Sequence, residues 1–115
     1  MKIAILDSRT VKEIKLNNVL PADTTEIVSG GARGVDSCAA ALAREMDIKL
    51  TVFLPEYERY GRAAPIVRNK QIVDYADRVI VIWDGESHGS KFVIDYCKKV
   101  GKEYQIFKIN DSIFE

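Results

Sequence analysis

Glu26-Ile27-Val28-Ser29-Gly30-Gly31-Ala32-Arg33-Gly34-Val35-Asp36 is the stretch on which the fold turns. It opens with a short apolar run and breaks at two glycines. From Val35 the apolar spacing changes: Val35, Cys38, Ala39, Leu42, Ala43 and Met46 recur every three or four residues. That spacing marks one buried helix face. A strand, a glycine turn and a helix in direct succession form the first half of a parallel βαβ unit.

The same alternation extends in both directions. Residues 2–6 predict a strand. Thr10-Val11-Lys12-Glu13 reads as a capping box that starts a helix reaching about Val19, before Pro21. A third strand is expected over 50–54, closed by Pro55. A polar, aromatic loop follows over 55–64, and Pro65 suits the first turn of a helix ending near Tyr75. Val79-Ile80-Val81-Ile82 makes 78–83 a near-continuous apolar strand, the pattern of a strand covered on both faces. Residues 84–90 read as a loop. Phe92, Val93, Tyr96, Cys97 and Val100 form a helix face stopped by Gly101. A fifth strand spans 104–109. The expected architecture is α/β: a Rossmann-like three-layer sandwich on a five-stranded, mainly parallel sheet, as one domain over 1–115. In such a sheet every βα loop leaves at the carboxyl edge, where ligands bind. Four polar loops then share one edge: 7–10, 29–36, 55–64 and 84–90.

Composition narrows the function. The chain has 115 residues, 47% of them hydrophobic, with 17 basic and 17 acidic side chains and no net charge. That balance disfavours a protein gripping nucleic acid by charge alone. Apolar runs are too short to span a bilayer, and Asp7 interrupts any signal-peptide core, so a cytoplasmic protein is expected. Cys38 and Cys97 each fall on an apolar helix side, where reduced buried thiols are expected. With one histidine and no Cys/His cluster, no metal site is expected.

Two of the loops have the design of an anion site. In 29–36, glycines allow close backbone approach and a helix start offers unpaired amides, which suits phosphate. The same glycines also suit a tight turn that needs positive φ. Asp36 reads as a favourable charge at the helix start or as a ribose partner. In 84–90, Gly89 and Ser90 repeat the design, and Ser87 or Ser90 doubles as an N-cap. His88 has the pKa range for acid–base work, although a lone loop histidine more often just faces solvent. Arg59, Arg62 and Arg68 form a basic group suited to phosphate or to a solvated face. Tyr57 and Tyr60 suit stacking on a base or packing across the loop.

Taken together the loops resemble the SLOG superfamily, named for the Smf/DprA and lonely-guy proteins. Ser29-Gly30-Gly31-Ala32-Arg33-Gly34-Val35-Asp36 is similar to the glycine motif of the DprA branch, and Arg68-Asn69-Lys70-Gln71-Ile72 to the segment that follows it. Ala76-Asp77-Arg78-Val79-Ile80-Val81 with Ser87-His88-Gly89-Ser90 resembles the next strand and loop. Ser8-Arg9 and Trp83-Asp84-Gly85 look most like the small stand-alone YspA/YpsA-related members.

The resemblance implies a nucleotide or nucleotide-derived ligand, held as by a sensor or carrier, with no separate cofactor. Implied ligand contacts are Ser8, Arg9, Ser29, Gly30, Gly31, Arg33, Gly34, Asp36, Arg68, Asn69, Asp84, Ser87, Gly89 and Ser90. It also implies a homodimer or higher homo-oligomer; the apolar area of Ile106, Phe107, Ile109, Ile113 and Phe114 suits a subunit contact or, equally, docking back onto the same chain. The first alternative is an N-glycosidic hydrolase of nucleotides or nucleosides. The lonely-guy catalytic glutamate falls on Val93 here, so the carboxylate would have to come from Glu86, Asp84, Asp36 or Asp7, with Asp36 and Glu86 as the first candidates. The second alternative is single-stranded nucleic-acid binding through Arg33, Arg59, Arg62 and Arg68 with the two tyrosines.

Overall fold

The computed structural model describes the backbone of residues 1–7, 20–30, 35–83 and 88–108, and within these the side chains of all but 7, 35–38, 83, 88 and 108. Five strands form the sheet: β1 (Lys2–Asp7), β2 (Glu26–Ser29), β3 (Lys49–Val52), β4 (Arg78–Trp83) and β5 (Tyr104–Lys108). Among the described residues four α-helices accompany them: α1 (Val35–Glu45), α2 (Tyr57–Tyr60), α3 (Ala64–Tyr75) and α4 (His88–Val100). Strand order is β3-β2-β1-β4-β5, and every adjacent pair is parallel. The order reverses between β1 and β4, because the connection through α2 and α3 carries the chain back across β1 and β2.

Strand alternation sorts the core into two layers. Ile3, Ile5, Ile27, Ile80 and Ile82 point to one face and pack with Ala39, Leu42 and Ala43 of α1. Ala4, Leu6, Val28, Val79 and Val81 point to the other, against Ile72, Val73 and Ala76 around α3 and Val93, Ile94 and Cys97 of α4. Two-sided burial is why β4 reads as an unbroken apolar run. The result is the expected Rossmann-like three-layer sandwich, with a wholly parallel sheet. Among the described residues no helix is long and apolar enough to cross a membrane.

Several boundaries differ from expectation. The third strand is Lys49–Val52, although the Phe53 N–H continues its ladder to the Ser29 carbonyl at 2.9 Å. Residues 55–64 are not one irregular loop, since α2 and a 3₁₀ turn (Gly61–Ala63) run directly into α3. Residues 88–90 are the first turn of α4 instead of loop, so Ser90 is buried and Gly89 exposed. Met46 lies beyond the end of α1 and is 44% exposed, because the helix stops at Glu45. Val100, in the last turn of α4, is also exposed. Gly101 has φ +74°, and the Lys102 N–H caps the Cys97 carbonyl at 2.9 Å, so this glycine ends α4 as expected. Cys97 is a free, buried thiol. The expected helix over 10–19 and the residues Ile109, Ile113 and Phe114 lie outside the described residues.

Candidate functional site

The parallel sheet sends the chain segments after β1, β2, β3 and β4 to one edge, the carboxyl edge. Register fixes their relative levels. Ala4 is opposite Val28, and Leu6 is opposite Val81. Continuing that register brings Gly30 level with Leu6. Neighbouring strands are about 4.8 Å apart, so the end of β2 and the end of β4 are separated by about 10 Å, with β1 between them. The β1–β4 junction is the point where an open parallel sheet offers a crevice.

Gly30 is where the sequence motif meets the rest of the molecule. The Arg68 guanidinium of α3 reaches across and donates from Nη1 to the Gly30 carbonyl at 2.7 Å. Asn69 Oδ1 accepts from Arg68 Nε at 2.8 Å and so orients the guanidinium plane. A Cβ on Gly30 would stand 2.7 Å from Arg68 Nη1 and 3.1 Å from its Cζ. Positive φ is confined to Asp47, Gly61 and Gly101 among the described residues, so Gly30 has none. Glycine is needed at position 30 for the approach of a cationic side chain, not for a strained turn. Two residues from separate sequence motifs are thereby brought together. Ser29, 2% exposed, is buried in the same strand end.

α3 is also tied to the other end of β2. Tyr75, its last residue, donates to Glu26 Oε2 at 2.6 Å, and Thr51 Oγ1 donates to the same oxygen at 2.7 Å. Burial alone would raise the Glu26 carboxyl pKa. The two hydrogen bonds outweigh it, helped by the charges of Lys49 and Lys2, and hold the group below the ordinary carboxylate range. The bond to Glu26, with burial, pushes the Tyr75 hydroxyl up. Arg68 and Tyr75 are about 10 Å apart along a helix, and Gly30 and Glu26 about 13 Å apart along a strand. Long side chains close the difference, so α3 is fastened along β2 at both ends. Sequence reading missed this latch. The signal was present: strand alternation puts Glu26 on the face of Val28, a buried face, so its carboxylate needed partners.

A second clamp holds the amino edge. Asp77 Oδ2 accepts from the Lys2 N–H at 2.7 Å, and the Asp77 N–H donates to the Lys2 carbonyl at 2.8 Å. The Lys2 amide is the main reason the Asp77 carboxyl lies below its ordinary range; burial opposes it, and the charges of Lys2, the N-terminus and Lys102 add to it.

At the end of β4, Gly89 and Ser90 occupy the first turn of α4, with Ser90 only 4% exposed. Val93, where the sequence resemblance would put a catalytic glutamate, is 1% exposed and packs in the core layer with Val79 and Val81. This turn of the helix directs that position into the sheet. Asp36 is the second residue of α1, and its side chain is not among those described. Ser8, Arg9, Gly31, Arg33, Gly34, Asp84, Glu86 and Ser87 lie outside the described residues, as does the His88 side chain. No protein-family model, curated protein or solved structure matches this chain.

Proposed function

We propose that this protein binds a nucleotide or nucleotide-derived ligand at the carboxyl edge of its sheet, as a cytoplasmic sensor or carrier of the SLOG type. The observation that carries this reading is the Arg68 guanidinium seated on Gly30 at 2.7 Å. It brings a cation, oriented by Asn69, to the turn that leads into α1. Helix-start amides and a nearby guanidinium favour the same ligand chemistry, a phosphate. The core position of Val93 supports binding over N-glycosidic turnover. A buried free Cys97 suits a reducing compartment. Exposed Ile106 on the edge strand β5 supports self-association, which light scattering measures.

Thermal unfolding with a panel of nucleoside mono-, di- and triphosphates tests the reading. A bound nucleotide at a hundredfold excess over its Kd stabilises by about 2.7 kcal/mol. Arg68→Ala removes that gain. A wild-type protein indifferent to every phosphorylated ligand at millimolar concentration overturns the proposal. Release of free base from a nucleoside monophosphate would replace the binding role with a hydrolase.

A further inference from the structure

β3 forms one edge of the sheet. The Phe53 N–H bonds to the Ser29 carbonyl, so the odd-numbered backbone groups of this strand face β2. Backbone groups alternate sides along a strand, so the N–H and C=O of Leu50, Val52 and Leu54 face away from the sheet. Pro55 holds Leu54 extended, and the N–H that proline lacks belongs to the inward row. The same three residues share a side-chain face. Thr51 and Phe53 point to the α3 layer, and Leu50 packs with the α1 layer. Val52 is 44% exposed and Leu54 63%. Met46, also exposed, stands just before the amino end of the strand. An edge with open backbone groups and apolar side chains is a template for another strand.

We propose that this edge pairs antiparallel with β3 of a second copy, about a two-fold axis at Val52, and joins two five-stranded sheets into one. The inference is independent of the ligand reading and gives self-association a surface and a register. With the axis there, Val52 meets Val52 of the second copy, and Leu50 meets Leu54. Each such pair exchanges both N–H···O=C bonds, so every outward group of the three residues gains a partner. Any other axis leaves one of the three unpaired. Their side chains form one apolar ladder, and Leu54 of the second copy arrives at the end where Met46 is exposed. The charges are self-complementary as well, as a closed two-fold contact requires. Lys49 begins the strand and Glu56 follows its end, both exposed. Antiparallel pairing sets Lys49 opposite Pro55 of the second copy, one residue from Glu56. At β5, the other edge, the Glu103 carbonyl faces β4, so Tyr104, Ile106 and Lys108 form the outward row. That row has one exposed large apolar side chain, Ile106 at 38%, and a lysine, the residue type that blunts edge pairing.

Sedimentation equilibrium of the full chain, from micromolar to millimolar concentration, tests this. The wild type passes from 12.9 kDa to twice that mass. Exchange of the Val52 amide hydrogen slows over the same range, because that N–H becomes bonded. Val52→Lys sets like charges directly opposite each other and stays monomeric throughout. Circular dichroism verifies its fold, which a half-exposed side chain does not support. Lys49→Glu and Glu56→Lys each weaken the dimer about fivefold at low salt, the effect of losing two symmetry-related exposed ion pairs. Combining the two substitutions restores it. A wild type that remains monomeric at millimolar concentration overturns the inference. So does a Val52→Lys protein that dimerises like the wild type, or a charge-swapped protein no tighter than the single variants. Dispersal of the dimer by Ile106→Lys alone would place the contact at β5 and overturn it equally.

Discussion

Replacing Gly30 by alanine isolates the contact at the centre of the site. The new Cβ would lie 2.7 Å from Arg68 Nη1, closer than real Cβ contacts, so the guanidinium must retreat. Retreat breaks the 2.7 Å bond to the Gly30 carbonyl. A hydrogen bond from a charged donor contributes about 1.5 kcal/mol at the lower end of its range, appropriate to a half-buried group. Against this, Gly→Ala at a position without positive φ stabilises by about 0.4–1 kcal/mol through the unfolded chain. The net expectation for Gly30→Ala is a loss of about 0.5–1 kcal/mol, roughly 2–4 °C in Tm for a domain of this size. In an Arg68→Ala background the obstruction is gone. There Gly30→Ala should stabilise by about 0.4–1 kcal/mol, so the sign of the effect inverts. Urea unfolding of the four proteins, with equal m-values, reads the cycle directly. Equal destabilisation by Gly30→Ala in both backgrounds would refute the view that Arg68 is the reason for glycine at this position.

Asp47 has φ +54° just past the end of α1, a left-handed conformation suited to glycine. Asp47→Gly should stabilise by about 0.5–1 kcal/mol in urea unfolding, and Asp47→Ala should not. Glu26 has a lowered folded-state pKa, so its stabilising contribution is fully present above its unfolded value, about 4.3, and is lost as pH falls through the folded one. Tyr75→Phe should therefore lower Tm at neutral pH and flatten the decline on acidification; an unaltered pH profile would mean the latch contributes nothing. Burial pushes the Cys97 thiol up to about 11. Iodoacetamide should leave Cys97 unmodified in native protein at pH 8, by peptide mapping, and alkylate it after unfolding. Rapid native alkylation would show that α4 opens readily from the sheet.

The alternation of strands with helices was legible because period-two and period-3.6 apolar patterns record burial directly. β2 and β4 could be read to their end residues, and α3 to within a residue. The segment 55–64 was misread as loop. Its short helices have no buried residue at Tyr57–Ala63, so no apolar period exists to announce them. Residues 88–90 were misread for a related reason: Gly89 and Ser90 resemble loop chemistry, yet both are tolerated in the first turn of a helix. At the site, Gly30, Arg68 and Asn69 were each singled out, whereas their mutual contact was not.

Local patterning alone determined that this chain would form a parallel α/β sheet with its glycine turn at the carboxyl edge. Hydrophobic periodicity and turn chemistry are properties of neighbouring residues, so they can be read one segment at a time. Tertiary structure decided that Arg68 closes on Gly30, 38 positions away, and that Tyr75 and Thr51 share one oxygen of Glu26. Those contacts depend on how α3 is laid along β2. That placement follows from packing in three dimensions, which no single stretch of the chain encodes.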